Sequence, residues 1–113
     1  MHEMAITQSV LNIVLEAAAG AGAKKVTVIR IKMGEYCDVV PGVMREYFTV
    51  AAAGTPAQGA VLDIERKPVT MLCRTCRWQG VVDKRRIRCP ECEGTDLKLL
   101  TGREFYVESI EAE

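Results

Sequence analysis

The sequence predicts an α+β protein in which a small three-stranded sheet with two helices carries an inserted four-cysteine zinc-ribbon module. Two observations lead to this prediction. Segments with helical and with strand periodicity alternate along the first half of the chain. Four of the five cysteines then fall between Cys73 and Cys92, and one more apolar segment follows them. The module is therefore expected to interrupt the chain before the last strand of the sheet.

The first predicted element is an amphipathic helix over residues 4–19. Glycines at positions 20 and 22 end it, because glycine readily adopts the left-handed conformation found at helix C-termini. A second helix is expected to begin at Pro41, which suits the first helical turn, and to end by Gly54. The residues expected to face the core are Ile6, Val10, Leu11, Ile13, Val14, Leu15, Ala17 and Ala18 in the first helix and Met44, Tyr47, Phe48 and Ala51 in the second.

Three segments predict the strands of one sheet. Residues 26–33 and 60–66 alternate apolar and polar side chains, as half-buried strands do. Residues 103–111 form the last strand, with a change of parity between Val107 and Ile110 that indicates a bulge. We therefore expect one α+β domain made of residues 1–68 and 102–113. Residues 69–101 make up the zinc-ribbon domain, with short strands near Met71, Val81 and Leu97.

The cysteines form two CxxC motifs, Cys73 with Cys76 and Cys89 with Cys92. Each motif lets two thiolates converge on one ion from a tight turn, and together they supply the four sulfur ligands that tetrahedral zinc prefers. Tetrahedral sulfur also accepts iron, but nothing else in the chain indicates electron transfer. Two disulfides or a redox CxxC fit less well, because no signal peptide precedes the motifs and thiols persist in a reducing compartment.

The bulk properties show no general attraction to polyanionic partners. Fifteen basic residues balance fifteen acidic ones, so no net charge attracts the chain to nucleic acid or to an anionic membrane. The apolar runs are much shorter than a membrane span. The start MHEMAITQSV lacks the basic and apolar regions of a signal peptide. We expect a cytoplasmic protein that keeps Met1.

The only histidine is His2, beside the amine of Met1. Methionine followed by so bulky a side chain is a poor substrate for removal of the initiator residue. The Met1 amine, the His2 amide and the His2 imidazole can then form fused chelate rings around one ion. Nitrogen ligands in a plane suit Ni(II) or Cu(II). A fourth ligand has to come from another residue, from water or from a second protein, and such an incomplete site suits a carrier that must release its ion.

Several segments together resemble one known family, the hydrogenase maturation nickel metallochaperones HypA/HybF, over the whole chain. They are the opening MHEM, the stretch from Gly34 to Pro41, the Gly54-Thr55 and Gly59-Ala60 pairs, the CxxC motifs and the ending Ile110-Glu111. The resemblance implies a protein that delivers Ni²⁺ to the precursor of the [NiFe]-hydrogenase large subunit. It also implies a nickel-handling P-loop GTPase as partner, and urease as a further client in some relatives.

The resemblance also implies roles for individual residues. His2 is implied as a nickel ligand, and Glu3 as a neighbouring site residue through its amide or its carboxylate. Many relatives carry an acidic residue where this chain has Val40, which cannot bind a metal, and Asp38 is the candidate that replaces it. Cys37, in the same loop, is interpreted as a half-buried free thiol rather than as a soft nickel ligand. The implied Zn²⁺ ligands are Cys73, Cys76, Cys89 and Cys92.

An enzyme is not expected, because the sequence has no phosphate loop, no HExxH and no second histidine for a catalytic zinc site. The alternative is a zinc-ribbon adaptor that binds nucleic acid or an assembly protein and has no exchangeable metal. The zinc module is locally basic, but cations beside a zinc tetrathiolate compensate its negative charge. Docking on an acidic protein surface is therefore favoured over nucleic-acid binding. Trp78 is expected to cover the site rather than to stack on a base. The basic residues are Arg74, Arg77, Lys84, Arg85, Arg86 and Arg88.

Overall fold

The computed structural model describes the backbone of residues 2–113 and the side chains of residues 3–113. A helix, a strand, a second helix and a second strand are followed by three short strands and a last long one. The elements are α1 (His2–Gly20), β1 (Val26–Gly34), α2 (Pro41–Ala51), β2 (Val61–Lys67), β3 (Thr70–Cys73), β4 (Gln79–Val81), β5 (Leu97–Thr101) and β6 (Phe105–Ala112). The predicted α+β class and the order of its elements are confirmed.

The first sheet has the strand order β2-β1-β6. β1 and β2 run parallel, because the amide of Val26 donates to Pro56 just before β2 and the amide of Glu35 donates to Lys67 at its end. β6 runs antiparallel to β1, since Lys24 donates to Glu113 whereas Gly34 donates to Glu104. In β6 the half-buried side chains lie at odd-numbered positions up to Val107 and then at the even-numbered Ile110. The sheet therefore combines a parallel βαβ unit with an antiparallel edge strand.

α1 packs against α2 and buries one stripe of side chains. The buried positions follow the i, i+3, i+4, i+7 and i+11 spacing of one helix face. They are Thr7, Val10, Leu11, Val14 and Ala18. The predicted stripe was partly wrong, since Ile13 is 53% exposed and Ala17 is also exposed. At about 100° per residue, Ile13 lies roughly 120° from the centre of the stripe. A prediction from apolar character alone makes the buried stripe too wide and misses Thr7, the polar residue at its centre.

α2 begins at Pro41, as predicted, and its N-cap residue Val40 makes no side-chain hydrogen bond. Met44 and Phe48 are buried, whereas Tyr47 is half-buried. Within the described part of the chain, no helix has the length and the apolar character that a membrane span requires.

The second sheet has the strand order β4-β3-β5, and both neighbours of β3 are antiparallel to it. The pairing of β3 with β5 shifts register between Thr70 and Met71 of β3. These are the three short strands that the sequence predicted for the zinc ribbon. The apolar cluster of the module consists of Val69, Met71 and Val82, with Trp78, Ile87, Leu97 and Leu99 packed against it. Trp78 thus contributes its ring to this cluster.

The chain forms two compact units. The first comprises the chain up to Ile31 together with Asp38–Glu65 and Tyr106–Glu113, and we call it the helical unit. The second comprises Lys32–Cys37 and Arg66–Phe105, and we call it the cysteine unit. The cysteine unit therefore includes a short segment, Lys32–Cys37, that lies far from the CxxC motifs in sequence.

Backbone hydrogen bonds hold this segment within the cysteine unit. The amide of Glu35 donates to the carbonyl of Lys67 at 2.8 Å, and the amide of Tyr36 donates to that of Gly102 at 2.8 Å. The guanidinium of Arg103 lies 5.2 Å from the centre of the Tyr36 ring, a cation–π distance. The segment is thus a structural part of the cysteine unit.

Candidate metal centre

Two turns bring four sulfur atoms together. All four Sγ atoms of Cys73, Cys76, Cys89 and Cys92 lie within 4.8 Å of one another. The Sγ atoms of Cys73 and Cys92 are 3.7 Å apart, and those of Cys76 and Cys89 are 3.5 Å apart. A disulfide bond measures only about 2.05 Å. All four cysteines are free thiols, so the predicted quartet is assembled without a disulfide.

The two turns share one pattern of backbone hydrogen bonds. In each, the amide of the first cysteine donates to the carbonyl five residues ahead, at 2.7 Å for Cys73 and 2.9 Å for Cys89. The amide four residues ahead returns a bond of 2.9 Å to the first cysteine in both turns. Arg77 and Glu93, which follow the second cysteine of each motif, both have positive φ, 68° and 60°. The motifs therefore fold as two equivalent turns.

Backbone amides point at the sulfur atoms. The Sγ of Cys89 accepts from the amides of Glu91 at 3.4 Å and Cys92 at 3.5 Å. The Sγ of Cys92 accepts from the amide of Gly94 at 3.4 Å. Donors in these positions stabilise a thiolate, which is the form that binds a metal. The CxxC turn thus prepares its own cysteines as ligands.

Without a cation the thiols do not ionise alike. The pKa of Cys73 is lowered to about 6, mainly by the backbone N–H of Cys76. The backbone N–H of Trp78 acts in the same direction on Cys76, but desolvation and the neighbouring thiols outweigh it and raise that pKa to about 12. The backbone N–H of Gly94 favours the thiolate of Cys92. The Cys73 thiol and desolvation outweigh this donor, so the pKa of Cys92 is raised. Four such close thiols ionise together only when a cation offsets their charge.

The quartet fits zinc. A tetrahedron with Zn–S bonds of about 2.3 Å has edges of about 3.8 Å. The two sulfur–sulfur distances of 3.5 and 3.7 Å are close to this edge. All four donors are thiols, and no further group of three or more His, Cys, Asp or Glu side chains converges in the part of the chain that the structure describes. A closed shell of four sulfurs leaves no position for a substrate, which is the arrangement typical of structural zinc sites.

Burial distinguishes the two cysteines of each motif. Cys73 and Cys89, the first of each pair, have no exposed surface, whereas Cys76 and Cys92 are exposed. Cys73 ends β3, beside the apolar cluster of the module. The quartet is therefore anchored on one side in the core of the module and reaches solvent on the other.

Some of the basic residues around the quartet have local partners. Arg74 lies 3.7 Å from the carboxylate of Asp96. Arg85 forms an ion pair with Asp83 at 3.3 Å. The pKa of Asp83 is lowered, first by the backbone N–H of Arg85 and then by its side chain. Arg74 and Arg85 are thus compensated by carboxylates within the module.

The second predicted site centres on His2. The side chain of His2 and the whole of Met1 lie outside the described residues, so the predicted chelate is not visible. The backbone places His2 and Glu3 in the first turn of α1. Amides in the first turn of a helix have no acceptor within the helix. The carbonyl of Glu3 accepts a hydrogen bond of 2.5 Å from the hydroxyl of Thr7, which is fully buried.

The loop before α2 holds the other predicted candidates. Cys37 is half-buried, and its S–H donates to the carbonyls of Arg103 at 3.5 Å and Glu104 at 3.4 Å. Asp38 is exposed, and Val40 is 52% exposed. The contacts of Cys37 are those of a structural thiol, in line with the interpretation made from the sequence.

With the geometry established, comparison with known proteins identifies the family. The sequence model of one family matches residues 1–112 and carries the description "Hydrogenase/urease nickel incorporation, metallochaperone, hypA". The chain belongs to the HypA family. The resemblance inferred from the sequence is thereby confirmed.

Individual HypA proteins agree with this assignment. The "Hydrogenase maturation factor HypA" of Roseiflexus sp. is 39% identical over 114 residues, which cover 100% of this chain and 93% of the relative. The HypA protein of Dehalococcoides mccartyi is 34% identical over 113 residues, which cover 100% of this chain and 95% of the relative. The match therefore extends over nearly the full length of both relatives.

Solved HypA structures share the fold. The solution structure of the Ni metallochaperone HypA from Helicobacter pylori gives a TM-score of 0.66 at 20% identity, over 97% of this chain and 96% of that one. Another solution structure of a HypA protein gives 0.73 at 21% identity, over 100% and 97% of the two chains. HypA proteins are metallochaperones, a class that binds and transfers an ion rather than catalysing a reaction.

Proposed function

We propose that the protein is a nickel metallochaperone that binds Ni(II) at its N-terminus and delivers it during maturation of [NiFe]-hydrogenase. The family description, nickel incorporation into hydrogenase or urease by a metallochaperone, is the observation that supports this most strongly. Nickel is then the cargo, and zinc is the resident ion of the cysteine quartet. The alternative of an adaptor without exchangeable metal has no support from the family.

The start of α1 supplies the chemistry for the cargo. The proposed ligands are the His2 imidazole and amide, with Glu3 as a neighbouring residue and the Met1 amine completing the chelate. Because first-turn amides lack helical acceptors, binding at these nitrogens breaks no hydrogen bond of the helix. Nitrogen ligands in a plane suit Ni(II), whereas zinc gains nothing from that geometry. A fourth position left to water or to a partner allows the ion to be passed on.

The quartet has the supporting role. Cys73, Cys76, Cys89 and Cys92 are the proposed zinc ligands, on the basis of the geometry of their sulfur atoms. A structural zinc couples folding of the module to metal binding. The ion would supply cross-linking of the two turns and no chemistry on a substrate.

The proposed partners follow from the same assignment. They are a nickel-handling P-loop GTPase of hydrogenase maturation and the precursor of the hydrogenase large subunit, and the proposed location is the cytoplasm. The sequence contains no GxxxxGK[ST] phosphate loop, so nucleotide hydrolysis is left to the partner. Neither nucleic acid nor a membrane is required by this function.

Calorimetry with Ni(II) on untagged, zinc-loaded protein tests the proposal, after mass spectrometry has established the N-terminal residue. His2→Ala and a variant with one additional N-terminal residue should each weaken Ni(II) binding about tenfold or more, which is about 1.4 kcal/mol. Glu16→Gln, which changes another acidic residue of α1, is the matched control and should bind nickel normally. A stoichiometric micromolar site that survives both N-terminal changes would refute the proposed location. In cells, loss of hydrogenase activity without the protein should be reversed by excess nickel.

A further inference from the structure

β4 forms one edge of the second sheet, with β3 as its single neighbour. In an antiparallel pair, residues that bond to the neighbour alternate with residues that face away. Trp78 and Val82, on either side of β4, both bond to the β3 side, which places Gly80 in the same set. The N–H and C=O groups of Gln79 and Val81 therefore point away from β3, toward the open edge.

This open edge has the properties of a binding site for an extended chain. Unpaired N–H and C=O groups on an edge strand are a template for one more strand. The side chain of Val81 is 66% exposed, so an apolar surface accompanies the free backbone groups. Among the described residues, no strand other than β3 pairs with β4.

A groove of about 360 Å³ lies beside Val81 within the cysteine unit. Val82 and Cys89 form its buried part. Arg86, Arg88, Pro90 and Glu93 also line it, and all four are exposed. The groove therefore continues the open edge of β4 toward the second CxxC turn.

The charges along the groove favour an acidic occupant. Within the described part of the chain, the guanidinium groups of Arg86 and Arg88 have no ion pair and no hydrogen bond. Asp83 also lines the groove, but Arg85 occupies its carboxylate. Two free cations thus face the single free carboxylate of Glu93. Carboxylates presented to Arg86 and Arg88 would make charge-assisted hydrogen bonds.

We propose that the open edge of β4 and the adjoining groove bind an extended acidic segment of a partner protein, which adds a fourth strand to the sheet. Its backbone pairs with Gln79 and Val81, an apolar side chain covers Val81, and its carboxylates reach Arg86 and Arg88. A second copy of the chain would present β4, which has no acidic residue for these arginines. Nucleic acid would use the arginines but neither the backbone edge nor Val81, and Glu93 would repel it. This inference does not depend on nickel binding.

The test is a titration of the zinc-loaded, ¹⁵N-labelled full chain, followed by amide and arginine side-chain NMR signals. The probe is the peptide acetyl-Glu-Val-Glu-Val-Glu-amide, and the comparison peptide carries glutamine in place of each glutamate. We expect shifts confined to residues 79–82 and 86–93 and an affinity for the acidic peptide about tenfold above that for the neutral one. Equal affinity for both peptides, or shifts spread over the module, would overturn the proposal.

Four variants separate the parts of the site. Val81→Pro removes the outward N–H and leaves the β3 ladder intact, so it should abolish binding. Arg86→Gln combined with Arg88→Gln should weaken binding of the acidic peptide about tenfold, whereas Glu93→Gln should strengthen it two- to threefold, by roughly 0.5 kcal/mol. Lys98→Gln, on the opposite edge strand β5, is the matched control and should bind as the parent does. If Val81→Pro fails to retain zinc, the affinity of the variant that combines Arg86→Gln with Arg88→Gln decides whether the proposal stands.

Two further outcomes would reject the acidic segment as the occupant. Tighter binding of a short oligothymidylate at the same residues would assign the groove to nucleic acid. Concentration-dependent dimerisation that Val81→Pro abolishes, seen by sedimentation without peptide, would assign the edge to a second copy of the chain.

Discussion

Gly34 and Gly102 are in direct backbone contact within the cysteine unit. A Cβ atom on Gly34 would overlap the carbonyl group of Gly102. Gly102 has a φ of 123°, and a Cβ atom there would lie 3.0 Å from the Cα of Val69. Neither position has room for a side chain. This close approach is what allows the end of β1 to join the connection between β5 and β6.

Gly34→Ala should therefore lower the free energy of unfolding by about 3 kcal/mol or more, because backbone atoms rather than a flexible side chain have to move. Gly42→Ala is the matched control, since a Cβ there meets nothing within 4 Å and alanine favours the helix α2. It should stabilise the protein by up to about 1 kcal/mol. Denaturant unfolding of both zinc-loaded variants measures the difference, and equal stabilities would contradict the contact.

Thr7→Val should destabilise the protein by about 1 kcal/mol, because it removes a buried hydrogen bond to the carbonyl of Glu3 and retains a branched side chain. Ser9→Ala removes the same kind of bond, from the Ser9 hydroxyl to the carbonyl of Ala5 at 3.1 Å, on an exposed face. Its effect should stay within about 0.5 kcal/mol. Thermal unfolding monitored by helical circular dichroism provides the comparison. Equal losses of stability in the two variants would show that burial of Thr7 does not increase the contribution of its hydrogen bond.

Removal of zinc should unfold the cysteine unit and leave much of the helical signal. In Cys73→Ser the quartet loses a buried ligand, and metal binding is coupled to folding in such modules. We expect loss of stoichiometric zinc together with rapid amide exchange in β3, β4 and β5, while α1 and α2 remain protected. A chelator added to the parent protein should reproduce this pattern. Simultaneous loss of protection in both helices would show that the helical unit needs the metal as well.

Acid should weaken the fold through Glu104. The pKa of Glu104 is lowered, first by its own backbone N–H and then by the N–H of Gly102, 2.5 Å from the carboxylate. A carboxyl whose pKa is lower in the folded chain stabilises the fold at pH values above its unfolded pKa of about 4.3. This stabilisation is lost as the pH falls through the pKa of the folded state.

Glu104→Gln should therefore be less stable than the parent at pH 7, and the difference should close as the pH falls below about 4. The comparison with the parent cancels effects of acid on the thiolates, which both proteins share. Glu46→Gln, an exposed change on α2, should show no such closing difference. A constant gap between Glu104→Gln and its parent at every pH would exclude the carboxylate as the cause. NMR titration of the Glu104 carboxyl measures the shift directly.

The order of the elements and the cysteine quartet could be predicted because both depend on local patterns. Strand alternation set β1 correctly, with Ile29, Ile31 and Met33 buried. The CxxC spacing set the quartet, since each turn is closed by hydrogen bonds within six residues of sequence. Prediction was weaker for α1, because Thr7 is polar but occupies the centre of the buried stripe.

Long-range backbone contacts were beyond the reach of sequence patterns. The segment Lys32–Cys37 joins the cysteine unit through bonds to residues near Lys67 and Gly102. Nothing in its composition indicates this, apart from Gly34 itself. The free edge of β4 was equally hidden, because an edge position depends on which strands pair and not on the residues of one strand. The placement of nickel at His2 stays a prediction.

Because only one side of the quartet is exposed, a reagent in solution can reach the sulfur atoms from that side alone. Any chelator, oxidant or alkylating reagent that arrives from solvent meets Cys76 and Cys92, while Cys73 and Cys89 remain enclosed. Because the two turns are equivalent, this surface pair takes one cysteine from each. Attack from outside thus reaches one ligand of each turn first, and since loss of the metal unfolds the cysteine unit, Cys73 and Cys89 become accessible only afterwards. Modification of Cys76 or Cys92, rather than of the enclosed pair, should then determine how fast the centre is lost.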